Sequence, residues 1–429
     1  DRSPSRGLGD VYKRQIKGVT KVEIQNLFAQ RIGGKEFGIK NEVYKFALIK
    51  KWKQEAEKKH SNNFKLIDMG VGEPDWAADD KVVDMLSIEA GKPENRFYSD
   101  NGIPEFQNAA IKYMEEVFGI SNLTINNVIH GIGSKPILAM LPSCFINPGD
   151  YVLNTIPGYP VLATHAKYLG GKIYDLPLKE ENNFYPDFSE IPREVLEKTK
   201  LLYINYPNNP TGQVATKEFF ENVVKFAQKN NIIVIHDAAY AALTYNDVKP
   251  LSFLSVDGAI DVGVEIHSLS KAFNMTGWRL GFLVGNEKIV SAYGVVKDNT
   301  DSGQFRAIQK AGAFALNNRW ITENTVNKYS RRFKMLIEAL NEVGFNCVEP
   351  KGTFYSYVKI PTGTEEGVKF NTALEVARYI LLNANISVVP WDDCGHYLRF
   401  SVTFSATHHE EKIIIDEMKN RLKSLKFVF

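Results

Sequence analysis

The sequence has little cysteine: three in 429 residues, standing far apart at Cys144, Cys347 and Cys394. Scattered and odd in number, they form no disulfide framework and fit a reducing compartment, so a cytoplasmic protein is expected. No CxxC and no close His/Cys pairing occurs, so no metal site is expected. No uninterrupted apolar run approaches the length needed to cross a bilayer. Charge of one sign is also missing: 52 Lys and Arg against 50 Asp and Glu leave a net charge of +2. A dedicated nucleic-acid binder concentrates basic residues on one surface, and this balance argues against one. Internal repeats and low-complexity segments are absent. The opening DRSPSRGLGDVYKRQ lacks the apolar core of a signal peptide. Its GDVYKRQ tail has the look of a translated adapter, so residues 1–15 are set aside as a non-native or disordered leader.

What is present is an ordinary globular composition, 44% hydrophobic and 24% charged. The length favours two domains over one. From about residue 100 to 315 one arrangement recurs: a short apolar run, then a cluster of Gly, Pro, Asn, Asp or Ser, then a helical pattern. NNVIH ends at GIGSKP, DYVLNTI at PGYP, KLLYINY at PNNPTG, NIIVIHD at AAYA and VGVEIHS at LSKAF; GFLVG follows soon after. In TKEFFENVVKFAQKNN, the residues Phe219, Phe220, Val223, Val224 and Ala227 fall on one face of a helix. Strand, helix and strand at this spacing predict a parallel sheet with right-handed crossovers, hence a doubly wound α/β domain. Past residue 315 the pattern changes. KYSRRFKMLIEALNEVGF reads as helix, GTFYSYVKI, LNANISVVPW and HYLRFSVTFS as strands, and HHEEKIIIDEMKNRLKSL as a closing amphipathic helix. The expected organisation is an N-terminal arm with part of a small domain over 16–77, a large domain over 78–314 and a small α+β domain over 315–429.

In an open α/β sheet, ligands bind beyond the carboxyl ends of the strands. Gly133, Ser134, Lys135, Tyr159, Asn209, Asp237, Tyr240, Ser268, Lys271 and Arg279 all follow predicted strand ends or the turns beside them. Each alone has an ordinary role open to it: Asp237 as a helix cap, Tyr159 as a turn aromatic, Lys135 as a rim lysine, PNNPTG as a turn in which Asn209–Pro210 invites a cis peptide. Together they describe a chemistry. GIGSKP opens a helix whose free N–H groups suit a phosphate, and Ser268, Ser270 and Arg279 add hydroxyls and a forked cation. Asp237 ends a buried run and needs a partner, which a protonated ring nitrogen would be. Tyr159 can stack on a flat ring, and Lys271 is a nucleophile for a carbonyl. Phosphate, aromatic ring, ring nitrogen and aldehyde add up to pyridoxal 5′-phosphate.

With these motifs the sequence resembles the fold-type I pyridoxal-phosphate-dependent aminotransferases over nearly its whole length after residue 16. GEPD at 72–75, YSDNG at 98–102, NPTG at 209–212, DAAY at 237–240, SLSK at 268–271 with Arg279, PKGTFY at 350–355 and YLRFS at 397–401 carry the resemblance. It implies that Lys271 holds the cofactor as a Schiff base and then moves the substrate proton, with Asp237 at the ring nitrogen and Asn209 and Tyr240 at the phenolic oxygen. It implies that Arg399 grips the substrate α-carboxylate beside the Gly72 N–H, and that two half-reactions follow each other in ping-pong order. A homodimer is implied as well, because Tyr98 would reach the cofactor phosphate of the neighbouring subunit. Within the family, NMTGWRLGF after the lysine, RIGGKEFG and NRFYSDNG are similar to the branch acting on LL-diaminopimelate with 2-oxoglutarate, in lysine and peptidoglycan precursor synthesis. Asp100 and Lys135 are then candidates for the distal ammonium and carboxylate of that substrate. Aspartate, aromatic and branched-chain aminotransferases share the same motifs. A carbon–sulfur lyase on this fold is the other enzymatic alternative, and an aminotransferase-like transcription regulator the non-enzymatic one.

Overall fold

The helix expected from the Phe219–Ala227 spacing runs Lys217–Asn230, and those five apolar residues are the buried ones. The Thr216 side chain accepts from the Phe219 N–H at its start, and Asn231 ends it in a left-handed conformation. In this computed structural model the described residues are 23–39, 45–60 and 64–429. The leader expected over 1–15 and parts of the 16–77 arm lie outside them. The chain divides into two units, Asp1–Leu48 and Ile49–Phe429. The described part of the first contains three short 3-10 turns, at Ile24–Leu27, Gln30–Ile32 and Gly34–Glu36.

The second unit is built on a seven-stranded sheet: β1 Val128–Gly131, β2 Tyr151–Ile156, β3 Lys172–Pro177, β4 Thr199–Asn205, β5 Ile233–Asp237, β6 Gly263–Ser268 and β7 Gly281–Gly285. The spatial order is β1-β7-β6-β5-β4-β2-β3. All neighbours are parallel except β7, which runs antiparallel to both β1 and β6. Apolar cores cover both faces. Along β4, Leu202 and Ile204 enter one core, while Leu201 and Tyr203 enter the other. A strand buried on both sides is mostly apolar, which is why these strands read as near-continuous runs. The exception is β3, KIYDLP, an edge strand with exposed residues on both faces. It has no apolar run for a sequence reading to find.

Past the sheet come helices Arg306–Leu316 and Trp320–Val343, then an antiparallel sheet in the order 389–391, 397–401, 355–359. Ile67–Asp68 pairs in parallel with Ile386–Ser387, and the Met69 carbonyl accepts from the Ser401 N–H at 2.7 Å. The stretch leading to Gly72 is thereby tied to the strand that carries Arg399. The closing helix runs Glu411–Lys423.

Candidate active site

Because β7 is antiparallel to β6, its start lies at the same edge as the ends of β1, β4, β5 and β6; Gly281 pairs with both Gly131 and Ser268. Arg279, two residues before β7, therefore meets residues that follow parallel strands. Its backbone is left-handed, with φ 56°. One guanidinium nitrogen, Nη1, donates to Ser270 Oγ at 3.3 Å and to the Thr276 carbonyl at 2.7 Å. The other side of the guanidinium rests on Gly133, where a Cβ would sit 2.4 Å from Arg279 Nη2, so only glycine fits. Gly133 is the N-cap of helix Ser134–Phe145. Ser268 Oγ accepts from the Ser270 N–H at 3.2 Å. A cation, hydroxyls and the start of a 12-residue helix thus share one corner.

Lys271 stands beside that corner. Its Nζ donates to the Gly72 carbonyl at 2.7 Å and lies 5.6 Å from the Phe354 ring and 6.0 Å from the Tyr240 ring. Loss of water around the ammonium pushes its pKa down to about 8, with Arg399 and Arg279 adding to the fall while Glu73 and Asp237 oppose it. Asp237, at the end of β5, is buried and accepts from Tyr203 Oη at 3.2 Å and from the Ala239 N–H at 3.2 Å. Burial raises its pKa, opposed by the Ala239 hydrogen bond and then by the charge of His236. Among the described residues it forms no ion pair. Tyr240 Oη meets Tyr355 Oη at 3.3 Å, and burial lifts the Tyr240 phenol well above its ordinary range.

Arg399 forms the opposite wall. Its Nη1 donates to Asn209 Oδ1 at 2.9 Å, its Nη2 to the Gly70 carbonyl at 3.4 Å, and its guanidinium lies 3.9 Å from the Tyr355 ring. Its Nε has no partner, and among the described residues no carboxylate pairs with it. Asn209 is fixed in turn: its N–H donates to Asn205 Oδ1 at 2.9 Å, while Asn205 Nδ2 donates to the Asp237 carbonyl at 2.8 Å. The Asn209–Pro210 peptide is cis, as are Ile156–Pro157 and Tyr206–Pro207. Gly72 faces this corner; a Cβ there would lie 3.4 Å from Tyr355 Oη and 3.9 Å from Arg399 Nη2. The short segment before Arg399 is pinned, since Asp392 accepts from the Ala373 N–H at 2.7 Å and meets His396 Nδ1 at 2.7 Å.

Hydrogen bonds and ring contacts together gather Gly72, Asn209, Asp237, Tyr240, Lys271 and Arg399 into one cleft, with Arg279, Ser268, Ser270, Gly133 and Ser134 at its phosphate-like end. Tyr159 follows β2 and packs, half-buried, against the core on that face. Among the described residues, Tyr98, Asp100 and Lys135 make no hydrogen bond or ion pair with this set. Tyr98 is 77% exposed, its carbonyl held by Arg306 Nη2 at 2.6 Å. Asp100 is exposed, with its carbonyl accepting from Lys297 Nζ at 2.5 Å. Lys135 is exposed and lines a surface hollow with His165, Val296 and Thr300. The sequence reading passed over Tyr203 and Asn205, which support Asp237 and Asn209. Asn205 is the last residue of β4, so the strand-end rule reaches it; Tyr203 sits inside an apolar run and gives no such signal.

The family model for aminotransferase class I and II matches residues 65–415. A protein named LL-diaminopimelate aminotransferase from Methanocaldococcus jannaschii is 55% identical over 95% of this chain and 99% of its own length. A protein of the same name from Aquifex aeolicus is 40% identical over 89% of this chain and 96% of its own. Among solved structures, substrate-bound BacF from Bacillus subtilis superposes with a TM-score of 0.83 at 32% identity, covering 96% of this chain and 99% of that one. An aminotransferase from Staphylococcus aureus gives 0.80 at 29% identity, over 93% and 99% of the two chains. With the family model spanning most of the chain and relatives of this identity along nearly all of it, the chain belongs to the class I and II aminotransferases, pyridoxal-phosphate-dependent enzymes of fold type I.

Proposed function

We propose that this aminotransferase moves the amino group of LL-diaminopimelate to 2-oxoglutarate in lysine and peptidoglycan precursor synthesis, as a cytoplasmic homodimer. The observation that carries the substrate is the shared name of relatives 55% and 54% identical to this chain, each covered over 99% of its length. The expected division into a large domain over 78–314 and a small one over 315–429, with 16–77 contributing to the latter, is part of this reading.

The residues present fit pyridoxal 5′-phosphate. Arg279, Ser268, Ser270 and the N–H groups at Ser134 and Lys135 would hold the phosphate, joined by Tyr98 of the partner subunit. The buried Asp237 carboxylate, which forms no ion pair among the described residues, would receive the ring N–H. Asn209 and Tyr240 would meet the phenolic oxygen, and Tyr159 the ring face. Bound there, the cofactor supplies an aldehyde to capture the amine and a ring to draw electrons from Cα. The chain does the rest. Arg399, its guanidinium fixed by Asn209 and its charge unanswered, takes the α-carboxylate in a two-pronged grip beside the Gly72 N–H. Lys271, next to the Gly72 carbonyl and neutral from about pH 8, is the base that moves the Cα proton. Asp237 keeps its negative charge opposite the ring N–H. Asp100 and Lys135 are assigned the distal ammonium and carboxylate; Asp100→Ala with unchanged diaminopimelate turnover would remove that assignment.

The test is to incubate the protein with LL-diaminopimelate and 2-oxoglutarate and to measure tetrahydrodipicolinate and glutamate. Turnover with little activity on aspartate or aromatic amino acids supports the reading. Activity confined to those amino acids keeps the chemistry and overturns the substrate. Release of pyruvate without a keto-acid acceptor makes the protein a lyase.

A further inference from the structure

On the reverse side of the sheet from Asp237, a second polar group of residues is sealed from water. His236 pairs with Glu265 across β5 and β6, and His267 follows Glu265 by two residues, so all three share the face opposite Asp237 and Ser268. His236 and Glu265 are fully buried, and His267 nearly so. Glu265 Oε2 accepts from Ser252 Oγ at 2.7 Å and from the Leu254 N–H at 3.3 Å; Oε1 lies 2.6 Å from His267 Nε2. The other histidine approaches differently: His236 Nδ1 lies 3.3 Å from Oε2, in ion-pair range but without hydrogen-bond geometry.

Counting protons decides what this cluster is. His236 Nε2 lies 2.9 Å from the Tyr206 carbonyl, which can only accept, so Nε2 carries a hydrogen. A neutral ring would then leave an unpartnered lone pair on Nδ1 at 3.3 Å from a carboxylate oxygen, two acceptors close together in an apolar core. The Phe220 and Phe253 rings beside it, edge-on at 5.1 and 6.3 Å, offer no donor. Oε2 already accepts two hydrogen bonds, so the missing proton belongs on the nitrogen. We propose that His236 is a buried imidazolium held by Glu265, with His267 as the third member, and that its charge directly behind Asp237 keeps that carboxylate ionised. His236 and His267 are thus positioning residues, acting through Asp237 without touching the reactants. The direction of the electrostatics agrees: burial pushes both carboxyls up, and the two histidines pull both down, Glu265 to below the ordinary carboxylate range.

The inference rests on Asp237 facing a ring nitrogen, but its first test needs neither cofactor nor substrate. In cofactor-free protein labelled with 15N-histidine, one histidine, absent from His236→Gln, should carry protons on both nitrogens at pH 8. In Glu265→Gln, whose amide can donate to Nδ1, that signal should become one of a neutral ring. Both variants should bind pyridoxal phosphate about tenfold more weakly, the size of one unit of lost carboxylate ionisation. If Glu265→Gln fails to fold, His236→Gln, which keeps a donor for the Tyr206 carbonyl, carries the binding test. A neutral His236 in the unsubstituted protein overturns the proposal, as does undiminished cofactor affinity in His236→Gln. Failure to turn over diaminopimelate while the imidazolium is seen would overturn only the substrate reading.

Discussion

Two buried arginines behave in opposite ways. Arg332, in helix Trp320–Val343, is wholly buried and fully answered. Its Nε donates to Glu411 at 2.9 Å, its Nη2 to Asp75 at 3.0 Å, and its remaining donors to the carbonyls of Val402, Phe404 and Ala406. Lys328 adds a second cation to Asp75, and Arg331 a forked pair to Glu411. Arg399 is 3% exposed, yet it has one amide oxygen, one long contact to a carbonyl, and a bare Nε. Burying a guanidinium costs several kcal/mol unless the charge is matched. Where it is matched within the chain, as at Arg332, the residue belongs to the fold. Where it is left open at a cleft, the fold has set it aside for an outside anion. The same contrast separates Glu265, ringed by donors, from Asp237. Asp75, held by Arg332 and Lys328, follows Gly70 and Gly72, whose carbonyls meet Arg399 and Lys271.

The largest expected loss is at neither arginine. Lys271→Ala removes both the cofactor anchor and the base, and turnover should fall by roughly 10⁴-fold or more in a steady-state assay. A fall below about tenfold would mean another group moves the proton. Arg399→Ala should lower kcat/KM for the amino acid by about 10²-fold, chiefly through KM, because charged hydrogen bonds to a carboxylate contribute on the order of 1.5–3 kcal/mol. Its denaturant midpoint should barely move. Arg332→Met should do the reverse: a loss of about 3–5 kcal/mol of stability, because Asp75 and Glu411 each lose a buried charged donor and the Val402, Phe404 and Ala406 carbonyls lose theirs, with KM of the folded fraction close to normal. An Arg399 variant as unstable as the Arg332 one would erase the distinction between the two.

Much of this was legible in the sequence for a physical reason. Strands covered on both faces are mostly apolar, so six of seven announced themselves, and the residues after the parallel ones had to lie at one edge. β3, exposed at the sheet margin, obeys no such constraint and stayed hidden. Arg399, Asn209 and Asp237 were readable as motif residues. Their relations were not, because the Arg399–Asn209 contact joins positions 190 residues apart. Nor does a sequence reveal which buried charge is paired: Arg332 stands in SRRFK and Arg399 in YLRFS, and only folding brings Asp75 and Glu411 to the first of them. The His236–Glu265–His267 cluster was hidden for the same reason, since its members sit inside runs that read as plain strand.

A pH-dependent stability sharpens the comparison on the cationic side of the cleft. Lys271 is desolvated and forms no ion pair among the described residues, so its pKa falls from 10.5 to about 8 in the folded chain. Between those values the unfolded chain binds a proton that the folded one has released, and stability rises with pH across that window. Below about pH 8 the folded chain pays the full cost of a poorly solvated ammonium; above 10.5 that cost is gone. Lys271→Met, free of the charge at every pH, should therefore be more stable than the cofactor-free parent at pH 7, and the gap should close as pH rises through 8 toward 10.5. Denaturant midpoints of the two proteins at pH 7 and pH 10 measure this, because all other titrating groups are shared. A gap independent of pH would mean that Lys271, like Arg332, has its charge answered within the chain, and the contrast between paired and waiting cations would then hold for Arg399 alone.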